Sequence, residues 1–184
     1  MIAGYGLTFA TFLITAGRLG DQLGRRRMFA LGLAAFTLAS AACGLAPSPA
    51  VLVGARLVQG LAAALLSPQV LSIIGVVYSG PDRVRAISIY GIVLGFAAVG
   101  GQLIGGVLVQ ADIAGLGWRS CFLIHVPIGV AALALVPRAV PESRAERTSR
   151  LDVTGTLLVT AGLTAVLLPL VEGRQHGWPV WTWA

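Results

Sequence analysis

Apolar residues run through this chain in long stretches, separated by short breaks that carry glycine, proline and arginine. An apolar helix of about 20 residues crosses a hydrocarbon core of roughly 30 Å. By that measure the pattern predicts six crossings: Ile2–Ala16, Met28–Ala46, Val51–Tyr78, Ala86–Gln110, Trp118–Val136 and Leu151–Val171. A seventh starts at Pro179. The first run is short for a crossing; the third contains Arg56 and Pro68, and the fifth contains Pro127. The expected fold is all-α, a polytopic bundle of membrane helices.

The breaks between the runs are Gly17–Arg27, Pro47–Ala50, Ser79–Arg85, Ala111–Gly117, Pro137–Arg150 and Glu172–Trp178. Successive loops must alternate sides. The first, third and fifth carry Arg18, Arg25, Arg26 and Arg27; Arg83 and Arg85; and Arg138, Arg144, Arg147 and Arg150. The other loops carry only Arg174, with Arg119 just inside the fifth run. Cytoplasmic loops hold the excess of basic residues, so the arginine-rich set is predicted to face the cytoplasm. The first run then travels from outside to inside with no basic flank before it, and a preceding helix is expected upstream of Met1. The last residues, Gly177–Trp183, stop within an aromatic-rich stretch, so a segment of a longer protein is expected.

Composition agrees with this picture. Of 184 residues, 57% are hydrophobic and 11% charged, against roughly 45–50% and about 25% in ordinary globular domains. A mean hydropathy of +0.87 points the same way. These values exclude a disordered chain, a disulfide scaffold and a soluble enzyme. The net charge of +6 comes from 13 arginines with no lysine. Because they sit in loop clusters, the charge sets topology and does not indicate nucleic-acid binding. Abundant Ala, Gly and Arg without Lys suggests a GC-rich bacterial genome, hence a multi-pass protein of the bacterial cell membrane. Cys43 and Cys121 lie in apolar runs without metal or redox spacing and read as small buried side chains. No HExxH, GxSxG, P-loop or paired-histidine set occurs, so neither enzyme, metal nor cofactor is expected.

The first loop reads Gly17-Arg18-Leu19-Gly20-Asp21-Gln22-Leu23-Gly24-Arg25-Arg26-Arg27. Its glycines permit a tight reversal and close helix approach. Asp21 is placed to pair with Arg25 four residues on, or to face the N-terminus of a neighbouring helix. The bland reading is a basic turn that only sets topology. Gly17, Leu19, Asp21, Gly24, Arg25 and Arg26, however, match in register the G-x-L-x-D-x-x-G-R-[RK]-x signature of the major facilitator superfamily, which this chain resembles along almost its whole length. The resemblance implies that the first run is the family's second helix. It also implies that the loop is a cytoplasmic gate lock, with Asp21 contacting an opposite half that lies outside this chain.

Arg56, Gln59 and Gly60 share one helical face at spacing i, i+3, i+4. A charge inside a span is costly and faces the protein interior or a wet cavity, unless it snorkels outward. R-x-x-Q-G resembles the fourth-helix motif of the superfamily's proton antiporters, which implies a role for Arg56 in proton coupling. A fixed positive charge lowers the pKa of a nearby carboxylate, so proton arrival alters the pairing. Asp21, Asp82, Glu142, Glu146, Asp152, Asp112 and Glu172 all fall outside the middle of the predicted spans. The proton-carrying acid is therefore expected upstream of Met1.

The fourth run carries the small-xxx-small pairs Gly91/Gly95 and Gly101/Gly105, read as a packing face. Gly101-Gln102-Leu103-Ile104-Gly105-Gly106 resembles the antiporter motif G-P-x-x-G-G, with Gln102 in place of proline and no kink implied there. Trp118-Arg119 and Phe122–Gly129 resemble the start of the sixth helix in the fourteen-helix drug:proton antiporter branch. His125 reads as a packing residue, or as a pH-responsive group if it lines water. Trp118 reads as an interface anchor.

The resemblance implies three parts: residues 1–138 as a partial N-terminal transporter half (family helices two to six), 139–150 as a cytoplasmic loop, and 151–184 as an extra helix and the start of the next. It implies proton-coupled efflux of lipophilic or cationic small molecules by alternating access. The expected partners are the lipid bilayer, protons, a small-molecule substrate and a C-terminal half. The alternatives are an exporter of one endogenous metabolite and a non-transporting truncated membrane protein.

Overall fold

Long apolar stretches in which every backbone polar group must find a partner without water leave the helix as the open-ended solution. In a computed structural model, residues 2–144 are described, together with helical positions 154, 155, 158, 159, 161–163, 165 and 166. Residues 2–144 form six α-helices in order: α1 Ile2–Leu23, α2 Arg25–Gly44, α3 Pro49–Val77, α4 Gly80–Ala111, α5 Ser120–Leu123 and α6 His125–Ala139. Two single 3₁₀ turns, Ile113–Gly115 and Gly117–Arg119, join α4 to α5. Among the described residues, four helical stretches are long and apolar enough to cross a membrane: α2, α3, α4 and the run Gly117–Ala139. Most of the expected sixth crossing, the start of the seventh, Glu146, Asp152, Glu172 and Arg174 lie outside the described residues.

The helix ends differ from the hydropathy reading in one consistent way. The sequence places Gly17–Arg27 in a loop and makes the first run short. Instead α1 continues to Leu23 and spans 22 residues, and α2 already starts at Arg25. Likewise α4 starts at Gly80, so Arg83 and Arg85 are helical. Hydropathy marks where lipid contact ends, whereas intrahelical hydrogen bonding continues into the aqueous layer. Pro81 in the first turn of α4 lacks an N–H that would be unpaired there anyway, and Asp82 meets the positive end of the helix dipole. Pro137, expected in the fifth loop, is inside α6.

The fifth crossing, expected as one helix, consists of two pieces that part at Ile124, although Ile124 keeps helical angles (φ −59°, ψ −28°). Pro127 explains the seam. It has no N–H to donate to the Leu123 carbonyl, so one rung of the ladder is missing.

The bundle is built on α3, which packs against both α1 and α2, while α5 and α6 lie on α2. α4 touches the others mainly near the 3₁₀ turn, α5 and α3, and none of its residues is buried. Contacts gather the loops at two ends. At one end the start of α2 meets the segment after α6, where the Arg25 N–H donates to the Ser143 carbonyl at 2.9 Å. A shallow cavity at that end is lined by Arg25 and Arg83 with Leu71, Ser72, Gly75 and Val76. At the other end Arg119 Nη2 donates to the Ala46 carbonyl at 3.1 Å. The first, third and fifth loops thus share one end, and the second and fourth share the other, as alternating crossings require.

Candidate functional site

Arg56 enters the bundle about two turns into α3. Its Nη1 donates to Gln59 Oε1 at 2.7 Å, one helical turn on. Gln59 is 1% exposed, and its Nε2 donates to Ser40 Oγ of α2 at 2.7 Å. Ser40 in turn donates to the Phe36 carbonyl, and the Cys43 thiol lies 3.8 Å from Gln59 Oε1. A buried amide satisfied on both ends is fixed in orientation, so it presents a fixed acceptor to the guanidinium.

Two rings complete the setting. The Arg56 guanidinium carbon lies 4.6 Å from the Tyr5 ring centroid of α1 and 5.4 Å from that of Phe122 of α5. Both are within cation–π range. Among the described residues no carboxylate is in ion-pair reach of Arg56. The side chain is half-buried among α1, α2, α3 and α5 and does not snorkel freely outward. Gly60 sets the α1–α3 distance: a Cβ there would lie 2.5 Å from the Tyr5 carbonyl oxygen and collide with Thr8 Oγ1. The i, i+3, i+4 face therefore carries a cation, its acceptor and the gap that lets Tyr5 approach.

The gate-motif residues cluster at the arginine-rich end. Arg25 Nη2 and Nε donate to Asp21 Oδ1 at 2.8 and 3.2 Å, so within the described residues Asp21 takes the i, i+4 partner. A Cβ added at Gly17 would lie 3.6 Å from the Pro68 side chain, an ordinary contact, whereas one at Gly20 would overlap the buried Gln69 amide. Gly24 breaks the chain between α1 and α2 with φ 108°, a conformation other residues resist.

Against Gly24 sits Glu142, from the segment after α6. Its Oε1 accepts from the Arg26 N–H at 3.2 Å, and its Oε2 lies 3.7 Å from Arg26 Nε and 3.6 Å from Arg27 Nε. A carboxylate at a helix N-terminus is stabilising. Glu142→Gln is expected to lower the melting temperature in detergent by a few degrees, about 1 kcal/mol once solvent screening is allowed for. An unchanged melting curve would show that the contact contributes nothing.

The antiporter-motif residues of α4 lie apart from both clusters. Gly101, Gln102 and Gly106 are exposed, and a Cβ at Gly101 or Gly106 meets nothing within 4 Å. Gly105 is the contact point, its carbonyl 3.6 Å from the Cys121 thiol. α4 runs unbroken through this stretch, consistent with Gln102 where a proline would remove a hydrogen bond. A cavity of about 400 Å³ opens between α4 and the α5–α6 run, lined in part by Gly101, Gly105, Cys121 and His125. Of the two cysteines expected to be buried, Cys43 is; Cys121 is half-exposed beside this gap, because α4 packs too loosely to cover it. His125 is exposed and meets Phe36 edge to face at 5.6 Å.

Sequence reasoning passed over Tyr5, Ser40 and Gln69, and named Phe122 only within the stretch that resembles the sixth helix. Ser40 and Gln69 carried a usable signal, as polar side chains inside apolar runs point inward.

The family model described as Major Facilitator Superfamily matches residues 1–184. A protein named probable actinorhodin transporter, from Streptomyces coelicolor, is 45% identical over 97% of this chain and 31% of its own length. The cephamycin export protein CmcT of Amycolatopsis lactamdurans is 41% identical over 97% of this chain and 36% of its own length. The multidrug resistance protein Stp of Mycobacterium tuberculosis is 39% identical over 97% of this chain and 33% of its own length. The chain thus spans about a third of the length of these curated relatives. Its match over all of its residues, and its helices long enough for lipid, make it a member of the major facilitator superfamily.

Proposed function

We propose that the chain works as a part of the N-terminal portion of a proton-coupled exporter of the length of its relatives. That exporter sits in a bacterial plasma membrane with the arginine-rich end in the cytoplasm. Residues 1–138 form most of the N-terminal half, 139–150 a cytoplasmic loop and 151–184 an inserted helix with the start of the next. A C-terminal half supplies the other wall of the cavity, and lipophilic or cationic small molecules are carried outward by rocking of the two halves. The observation that carries this reading is the half-buried Arg56, held by Gln59 and two rings with no carboxylate in reach among the described residues. A cation so placed lowers the pKa of an acid brought beside it and makes that acid's protonation depend on conformation. Asp21, Arg25 and Arg26 at the arginine-rich end serve as the gate lock, and the Gly101–Gly106 face of α4 serves close packing against the other half.

The test is proton-gradient-dependent efflux, read as uptake of a fluorescent lipophilic cation into everted vesicles carrying the full-length transporter. Collapse of the gradient by an uncoupler should stop efflux; efflux that persists would overturn proton coupling. The 184-residue chain alone is expected to insert but not to transport, because one wall cannot alternate access between two sides. Robust efflux by the chain alone would contradict this.

The names of two relatives, an actinorhodin transporter and a cephamycin exporter, favour a second reading: export of one endogenous metabolite. Competition decides between the two. Several unrelated lipophilic compounds inhibit efflux in the first reading, and only one chemical class does so in the second.

A further inference from the structure

Phe122 stands between Arg56 and the far end of the bundle. Its ring is 5.4 Å from the guanidinium on one side. On the other it meets Trp118 edge to face, at 6.0 Å and 87°. Arg119 lies over the Trp118 ring at 5.4 Å and donates to the Ala46 carbonyl, just past the end of α2. Phe122 also packs against the core cluster of Cys43, Ala46 and Leu52. A cleft of about 450 Å³ at this end is lined by Pro47, Ser48, Trp118, Arg119 and Phe122 among others.

The ring is thus part of an unbroken series of contacts from the α2–α3 turn to the intramembrane cation. An aromatic face attracts a guanidinium through its quadrupole, and more strongly where water is scarce. Among the described residues, the titratable groups beside Arg56 are Tyr5 from α1 and Cys43 from α2; α5 presents only the uncharged ring. Phe122 therefore bears on where the charge sits.

We infer that Phe122 is a positioning residue for Arg56, tying the cation to the clamp that Trp118, Arg119 and Ala46 form at the opposite end from the gate motif. This rests on the coupling role proposed for Arg56. When that clamp rearranges, Phe122 moves with it, and Arg56 is released from, or returned to, its place beside Gln59.

The test compares Phe122→Leu, Phe122→Tyr, Arg56→Ala and the double variant Arg56→Ala/Phe122→Leu in the full-length transporter. Efflux is measured across pH at saturating and limiting substrate. Phe122→Leu keeps an apolar side chain of somewhat smaller volume but removes the quadrupole. It is expected to lower the maximal rate roughly tenfold and to move the pH profile toward that of Arg56→Ala. Phe122→Tyr keeps the ring face and should stay within about twofold of wild type. The double variant should be no worse than Arg56→Ala, since the ring acts only through the cation. A Phe122→Leu protein with the wild-type pH profile, or an additive loss in the double variant, overturns the inference while leaving the coupling role of Arg56 in place. An Arg56→Ala protein with wild-type rate and pH profile overturns that role and this inference with it.

Discussion

In the full-length exporter proposed above, replacing Arg56 with alanine is expected to cut gradient-driven efflux by about 100-fold while the protein still inserts at normal levels. A charge-assisted hydrogen bond and two half-buried cation–π contacts together give a loss of about 2–3 kcal/mol. Gln59 keeps its bond to Ser40, so the local packing survives and the loss falls on coupling rather than folding. Arg56→Lys is the sharper comparison. An ammonium keeps the charge but not the planar fork that reaches Gln59 while stacking against Tyr5 and Phe122. It should recover part of the rate, leaving a deficit of roughly tenfold. Full activity of the alanine variant would remove Arg56 from the mechanism. Full activity of the lysine variant would show that charge alone matters and that the ring geometry does not.

The second large effect is steric. Gly60→Val is expected to destabilise the α1–α3 contact by about 1–3 kcal/mol, the usual cost of forcing extra methyl groups into packed space. The added Cβ would lie 2.5 Å from the Tyr5 carbonyl oxygen, which is backbone and cannot rotate aside. Relief requires α1 to move off α3, which takes the Tyr5 ring away from Arg56 and lowers efflux as well. Gly54 provides the control: it is on the same helix, and a Cβ there meets nothing within 4 Å. Gly54→Val should leave both the melting temperature in detergent and the efflux rate close to wild type. If the two valine variants behave alike, close approach at Gly60 is not what the residue is for.

Much of this architecture is legible in the sequence because lipid is an undemanding reader. Any sufficiently long apolar run satisfies it, so the second to fifth crossings are found by hydropathy alone, each within a few residues of one or both observed ends. The ends were less legible for the same reason. Arg18, Asp21, Arg83 and Arg85 lower the hydropathy without ending the helix, so α1 and α4 run further than their apolar runs. The sequence treats Gly17, Gly20 and Gly24 alike as turn glycines, yet of the three only Gly24 takes a positive φ, and the other two lie inside α1.

The site was half legible. Arg56 and Gln59 stand out as polar groups at helical spacing in a span. Tyr5 and Phe122 do not, because an aromatic ring facing lipid and one facing a guanidinium look the same in an apolar run. Glu142 could be assigned to the arginine-rich side by topology, yet its docking on Arg26 joins positions 116 apart, and no local pattern encodes such a contact.

The account depends on the helices threading the bilayer with the arginine clusters on one side. Single cysteines at positions 27, 112 and 144, in a background lacking Cys43 and Cys121, test it through a membrane-impermeant maleimide applied to intact cells. Position 112 is expected to label at once, and positions 27 and 144 only after the membrane is opened. Labelling of 27 and 144 from opposite faces would contradict the topology and, with it, the placement of Arg56 within the membrane.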